Sequence, residues 1–395
     1  MKILWVNTNF LHPTTKGGQI RTLEILRQLH HCHEIHYVAI ADPAHPEAVE
    51  ASREYCTRSY PFEHRIPSKL SAALRGCFSE MPVAVSRFYS PELGTFIEGL
   101  MRDGRFDRAV VDHLAPTSYF PALDRSLFFQ HNVETMIWRR HAAHAPDLLR
   151  RAYFNIQARR MFQYERRVSL AAGHIVAVSA VDAALMRKLF GVTRVSEIPT
   201  GVDIEYFAAP PRVERFADLV FVGSMDWLPN VDGVRYFVRD VLPIIRRRRP
   251  DCTVGIAGRA PVPTIAALAK QDRNIVVTGT VPDVRPYLWG SAVSIVPLRI
   301  GGGTRLKIYE SMAAGIPVVS TTIGAEGLSV NPPEDIRIAD SPEAFAGQCV
   351  DLLANAGERS RLASAAREMV CSKFSWQHVA SCFERTLEAA PALGW

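Results

Sequence analysis

No stretch of the sequence holds the ~18 consecutive apolar residues of a membrane-spanning helix, although 48% of its 395 residues are hydrophobic. A transmembrane protein is not expected, and that much apolar material has to fill buried cores. At about 100–200 residues per domain the length points to two or three of them. No Cys-x-x-Cys occurs, and the seven cysteines (Cys32, Cys56, Cys77, Cys252, Cys349, Cys371, Cys382) are odd in number and scattered. That excludes a disulfide frame or a zinc-thiolate site and suits reduced thiols in the cytoplasm. No G-x-G-x-x-G follows a strand-like run, which argues against a nicotinamide dinucleotide. Lysine is scarce, with seven among 46 basic residues, so arginine carries most of a formal charge of +6. This balance suits phosphates or acidic lipid without choosing between them, and an arginine bias can also be genomic. Nucleic acid is not an expected partner, because no recognition module or aromatic stacking pattern is present. The opening "MKILWVNTNFLHP" passes from apolar to polar residues too soon for a signal peptide and reads as a first strand.

What is present is βαβα alternation. "KILWVN", "EIHYVAI", "RAVVDH", "SLFFQHN" and "HIVAVS" are short apolar runs bounded by polar or turn residues, as buried parallel strands are. "GGQIRTLEILRQLH" reads as a helix between the first two. The stretch 198–218 holds three prolines and a glycine without periodicity and reads as a linker. The alternation then restarts with "LVFVGSM", a helix over 230–249, "CTVGIAG", "NIVVTGT", "AVSIVPL" and "IPVVSTT". Three helical stretches close the chain over about 341–390. The expected fold is α/β, with two doubly wound parallel-sheet (Rossmann-like) domains facing across a cleft, over residues 1–200 and 201–375, and a last helix over 376–395 returning to the first domain. In such sheets ligands bind beyond the carboxyl ends of the strands.

Several loops carry candidate chemistry. In "GGGTRLKIYESMAAG", 301–315, three glycines lead from a strand into a helix bearing Arg305, Lys307 and Glu310. Glycines and a helix N-terminus admit an anion, and the two cations reinforce it. A carboxylate on the same face can accept from hydroxyls, so the loop fits a diphosphate next to a diol. The alternative is a glycine turn with an (i, i+3) surface ion pair, worth only a few tenths of a kcal/mol. Gly17 and Gly18 precede a helix in the same way after the first strand. "FFQHNVE" puts His131, Asn132 and Glu134 at a strand end, where a histidine can donate to a hydroxyl or leaving oxygen or simply bond a backbone carbonyl. His113 in "VVDHLAP" is a weaker candidate of that kind. "FVGSMDWLPNVDG" ends a strand at Gly223 and sets Ser224 and Asn230 before a helix that Asn230 can also cap. "GTVPDV", with Val281, suits backbone contacts to a base. Finally, "LLRRAYFNIQARRMFQYERRV", 148–168, interleaves six arginines with apolar residues. It either lies on an anionic membrane face or packs on its own domain with its arginines in water.

Taken in order, "HNVE", "VSAVDAALMRKLFG", "IPTGVDIEYF", "FVGSMDWLPNVDGVRYF" and "GGGTRLKIYESMAAGIPVVST" resemble the retaining nucleotide-sugar glycosyltransferases of the GT-B fold, family 4, in the exopolysaccharide branch. The resemblance covers nearly the whole chain. It implies transfer of a hexosyl group from a nucleoside-diphosphate sugar to a glycan, lipid-linked or small-molecule acceptor, without metal or cofactor, in a cytoplasmic protein that can also meet the inner membrane face. It implies that Glu310 binds the nucleotide ribose, that Gly17 and Gly18 face the diphosphate and sugar, and that His131 lies beside the donor sugar. Arg305 and Lys307 then serve the leaving diphosphate, with Asn132, Gly223, Ser224, Asn230, Val281, Gly302, Gly303 and Thr304 lining the site. This chain departs from the pattern in three places. Gly302 stands where many members carry a second glutamate, and Ser224 and Asn230 stand where many carry an arginine and a lysine for the diphosphate. Arg305 and Lys307 are the residues expected to take over that charge. A nucleotide-sugar epimerase of the same fold and a non-catalytic sugar-nucleotide scaffold are the competing readings.

Overall fold

The computed structural model describes residues 1–14, 17–64, 66–67, 80–143, 145, 147–300 and 306–393. They form two compact units, one of Met1–Pro199 with Val379–Trp395 and one of Thr200–His378.

The first unit is built on a seven-stranded sheet in the order β3-β2-β1-β4-β5-β6-β7. Its strands are β1 (Lys2–Asn9), β2 (Glu34–Ile40), β3 (Arg58–Phe62), β4 (Arg108–Asp112), β5 (Leu127–Gln130), β6 (His174–Ala177) and β7 (Val195–Glu197). Every pairing is parallel. Consecutive residues Ile3, Leu4, Trp5 and Val6 are fully buried. Both faces of the sheet are therefore covered, which is why these strands read as continuous apolar runs rather than alternating ones. The second unit has a six-stranded sheet, β10-β9-β8-β11-β12-β13, also parallel throughout. Its strands are β8 (Ala217–Val222), β9 (Val254–Ala257), β10 (Ile275–Gly279), β11 (Ser291–Val296), β12 (Val318–Ser320) and β13 (Arg337–Ile338). The expected Rossmann-like architecture is present in each unit.

Three strands went unanticipated. β3 contains Pro61 and lies at the sheet edge, while β7 and β13 have three and two residues, too few for a pattern. The helix expected over 230–249 is three consecutive segments: an α-helix Leu228–Tyr236, a π-helical turn Phe237–Val241 and an α-helix Leu242–Arg248. Pro243 lacks the N–H that a continuous ladder needs, and the π turn absorbs the break. The closing segment from Val379 belongs with the first unit. There Phe383 stacks on Trp5 at 5.4 Å, and Arg108 donates from Nε to Leu387 O at 2.9 Å.

The arginine-rich stretch is a helix, Leu148–Ala171, started by the Asp147 side chain, which accepts from Arg150 N. Its buried face carries Met161, Tyr164 and Val168, with one carboxylate, Glu165, fully buried among them. Glu165 accepts from Glu134 N and Thr135 N at 2.8 Å each, from Thr135 Oγ1, and from Gln130 Nε2. It supplies the acceptors that the start of the neighbouring Glu134–Ala143 helix lacks within itself. Burial raises the Glu165 carboxyl to about 6, against the pull of these donors. Replacing Glu165 by Ala strands two backbone N–H groups, the Thr135 hydroxyl and the Gln130 amide, and should cost about 1–3 kcal/mol of stability. Urea unfolding of Glu165→Ala checks this; a midpoint equal to wild type would contradict it.

Candidate functional site

Each sheet reverses its strand order once, between β1 and β4 in the first unit and between β8 and β11 in the second. Loops leaving two adjacent strands in opposite directions open a crevice at their carboxyl ends, where ligands bind in such folds. Most of the predicted residues that the structure describes lie at these two places.

In the second unit β8 runs into Gly223 and Ser224, and the chain returns as the Leu228–Tyr236 helix. Trp227, without a side-chain cap bond, occupies the N-cap position suggested for Asn230. Asn230 is instead only 3% exposed and bridges two elements. Its Nδ2 donates to Ser224 O at 2.8 Å, and its Oδ1 accepts from Lys307 Nζ at 2.9 Å. The Lys307 ammonium also lies 4.3 Å from the centre of the Phe221 ring. Gly223 leaves the space for this arrangement, since a Cβ there would stand 2.7 Å from Lys307 Nζ and 2.8 Å from Asn230 Nδ2. Ser224 Oγ accepts from Arg259 Nε at 2.7 Å. Sequence reasoning passes over Arg259; the one signal for it is its place just after the β9 strand end.

Lys307 and Glu310 both lie on the Leu306–Ala313 helix. Burial raises the Glu310 carboxyl to about 7, while Lys307 pulls it the other way. Val281 is half-buried in the loop after β10. Gly302, Gly303, Thr304 and Arg305 lie outside the described residues.

In the first unit a single carboxylate organises the strand ends. Asp112 is fully buried at the end of β4. Its Oδ2 accepts from Trp5 Nε1 at 3.0 Å, Asn7 Nδ2 at 2.9 Å and Thr22 Oγ1 at 2.8 Å, and its Oδ1 accepts from His131 Nε2 at 2.7 Å. Burial works to raise its pKa, yet the electrostatic influence of the His131 and His113 rings and the hydrogen bonds from His131 and Trp5 hold it below the ordinary value. Burial, with His113 adding to it, depresses the His131 pKa to about 3. His131 is thus neutral, with its proton on Nε2 towards Asp112. Its Nδ1 accepts from Arg21 Nη1 at 3.1 Å. Arg21 is itself buried and lowered to about 10 by burial, so it stays charged.

The expected donor role of His131 towards a hydroxyl or leaving oxygen finds no free ring nitrogen in this arrangement: Nε2 is engaged by Asp112 and Nδ1 by Arg21. His113 stacks on it with ring centres 4.0 Å apart, and its side chain is 34% exposed against 2% for His131. Gly18 lies against the pair, where a Cβ would be 3.1 Å from His113 Cε1. Gly17 and Gly18 open the Gly17–His30 helix as expected, and half-buried Asn132 follows His131. Among the described residues Asp112, His113 and His131 are the one group with metal-ligand spacing. A metal there has to displace donors that Asp112 already holds.

Residues 217–355 match the family described as glycosyl transferases group 1. An uncharacterized 44.6 kDa protein in the cps region of Klebsiella pneumoniae is 23% identical over 90% of this chain and 91% of its own length. A GDP-mannose-dependent phosphatidylinositol monomannoside mannosyltransferase of Mycolicibacterium smegmatis is 25% identical over 54% of this chain and 61% of that protein. Among solved structures, sucrose-phosphate synthase from Thermosynechococcus elongatus superposes with a TM-score of 0.72 at 15% identity, over 98% of both chains. WaaG, a glycosyltransferase of lipopolysaccharide biosynthesis, gives 0.64 at 13% identity over 97% of this chain and 99% of its own. The fold is that of the GT-B glycosyltransferases, and the family match supports a glycosyltransferase.

Glu310 makes a pH-dependent demand on stability. Between its ordinary value of 4.5 and about 7 the native state holds a proton that the unfolded chain has released. Stability should therefore fall as pH rises through that window, then level off. Glu310→Gln removes the effect, so the variant should be more stable than wild type at pH 8, with the difference vanishing towards pH 4. Thermal unfolding of both proteins across this range checks the sign; a constant difference would contradict it.

Proposed function

We propose that this chain is a retaining glycosyltransferase of the family 4 type. It moves a hexosyl group from a nucleoside-diphosphate sugar to an acceptor hydroxyl, in the assembly of a bacterial exopolysaccharide or related surface glycan. The observation that carries this reading is the Lys307 ammonium held at the end of β8 by Asn230, with the Glu310 carboxyl on the same helix. A cation for a diphosphate and an acceptor for a ribose diol are what a sugar nucleotide needs. The similar proteins favour the same chemistry: the mycobacterial mannosyltransferase is GDP-mannose-dependent, and Anabaena HepE, of like fold, was solved with UDP and with UDP-glucose. The Klebsiella relative's place in a cps region favours a surface glycan.

In this reading negative charge develops on the departing diphosphate while positive charge grows on the ring carbon. Preorganised cations and backbone N–H groups at the diphosphate are the main catalytic device. Lys307 supplies one such charge, Arg305 adds a second, and Gly302, Gly303 and Thr304 offer backbone N–H groups. With its own cations in that role, the enzyme is proposed to work without metal or cofactor. Gly223, Ser224 and Asn230 hold the approach to the diphosphate, Val281 borders the base, and the acceptor attacks from the face the diphosphate leaves. In the first unit, the Gly17–Gly18 helix start and Asn132 are proposed to meet sugar hydroxyls, and His131 to lie beside the donor sugar with its ring nitrogens held by Asp112 and Arg21.

No helix among the described residues is long and apolar enough to cross a membrane. The Leu148–Ala171 helix nevertheless leaves Leu148 and Leu149 82% and 83% exposed beside Arg150 and Arg151. This surface favours peripheral contact with anionic lipid on the cytoplasmic side, and with it a lipid-linked acceptor.

Turnover tests the proposal. With UDP-, GDP-, dTDP- or ADP-sugars and a lipid or glycan acceptor, one donor series should release nucleoside diphosphate and form a glycoside with the donor's anomeric configuration. Lys307→Ala should lower that rate by about 100-fold or more, the loss of one preorganised charge contact. Release of a free sugar without acceptor would point to an epimerase, and an unchanged rate in Lys307→Ala would remove the lysine from the mechanism.

A further inference from the structure

The loop after β9 is built with unusual backbone demands for a surface turn. Gly258 has φ +149°, and a Cβ there would stand 1.9 Å from the Gly223 carbonyl oxygen, so only glycine allows the approach. Ala260, two residues on, has φ +51°, a left-handed conformation that is strained for an alanine. Hydrogen bonds tie the loop down on both sides. Gly223 N donates to Ala257 O at 2.9 Å, and Met225 N donates to Arg259 O at 2.9 Å. Ala260 N donates to Thr280 Oγ1 at 3.3 Å. Between the two constrained positions stands one charged residue, Arg259, whose Nε donates to Ser224 Oγ at 2.7 Å. The next contacts along the strand end are the Ser224 carbonyl, the Asn230 amide and the Lys307 ammonium.

Two cations, Arg259 from the loop after β9 and Lys307 from the Leu306–Ala313 helix, are thus gathered at one strand end through Ser224 and Asn230. Each is held by a neutral side chain, Arg259 by Ser224 and Lys307 by Asn230. Charges so placed in a glycine-lined crevice suit an anion with two separated charged groups, which a diphosphate has.

We propose that Arg259 is a diphosphate-binding residue, and that the constrained loop 258–260 exists to present its guanidinium to the end of β8. The inference rests on the sugar-nucleotide reading of this site and adds a residue to it. Ser224 is then the tether of the guanidinium, and an arginine at position 224 would itself bring a cation to the same strand end.

Calorimetric titration of the full chain with UDP, GDP and inorganic pyrophosphate, and with uridine and guanosine as phosphate-free probes, tests this. Arg259→Ala should weaken the diphosphates by about tenfold to a hundredfold. It should leave the nucleosides and the melting temperature unchanged, because Arg259 is exposed. Ser224→Arg placed in the Arg259→Ala background should restore most of the lost affinity. Wild-type diphosphate affinity in Arg259→Ala would overturn the inference while leaving the glycosyltransferase reading intact. Equal losses for nucleosides and diphosphates would overturn it too, by making Arg259 a structural residue. Pyrophosphate binding that depends on Arg259, in a protein that turns over no sugar nucleotide, would keep the anion site and remove the glycosyltransferase. A wild type that binds no diphosphate would overturn both.

Discussion

Every strand pairing among the described residues is parallel, so all strands of a sheet end on one edge, where ligands bind in such folds. The reversal of strand order at β1/β4 and again at β8/β11 then leaves a crevice in each unit at a place set by topology alone. From these edges the first unit projects Gly18, His113 and His131, and the second projects Gly223, Arg259 and the Lys307 helix. Two helices have a matching role, each burying apolar residues while bringing a polar one to the edge. The polar residues are Thr22 on the first helix and Lys307 on the helix after β11.

The two edges solve different electrostatic problems. In the first unit a carboxylate has been taken fully out of water, a cost of several kcal/mol unless it is paired and hydrogen-bonded. Asp112 meets that condition with donors from β1, the first helix and the loop after β5, so the charge that is costly to bury also locks three elements in register. The same lock fixes the tautomer of His131 and stacks His113 on top of it. In the second unit the cations are held by neutral groups. Asn230 and Ser224 orient the Lys307 ammonium and the Arg259 guanidinium by hydrogen bonds from neutral side chains, and the Glu310 carboxyl lies within electrostatic reach of Lys307.

The strands buried on both faces are readable because a continuous apolar run between turn residues, too short for a helix, fits little except a strand covered on both sides. β2 and the first helix match the sequence reading to the residue. The short strands β7 and β13 and the edge strand β3 carry too little pattern to be seen. Among the site residues, Gly223, Asn230 and Lys307 are visible as a strand end and a helix start, but their mutual contact is not. Asn230 and Lys307 are 77 positions apart, and nothing local in either segment encodes the pairing. Arg259 is hidden for the same reason. Glu165 reads as one more polar residue of a cationic helix. Its spacing from Met161 and Val168, which places it on the apolar face, is the available clue. His131 is correctly set at a strand end, but the two contacts that occupy its ring come from Asp112 and Arg21, which sequence alone does not bring near.

The most direct test of the account is equilibrium binding at the second unit's strand end. Nucleoside diphosphates of the four common bases should be titrated into wild type and Glu310→Ala, following the melting temperature. A ligand at about 100 times its dissociation constant adds roughly 2.7 kcal/mol of stability, which such a scan resolves. The account predicts a shift for one base series in wild type that is lost or much reduced in Glu310→Ala. A shift of the same size in both proteins would contradict the placement of the ribose at Glu310, and no shift with any nucleotide would contradict the site itself.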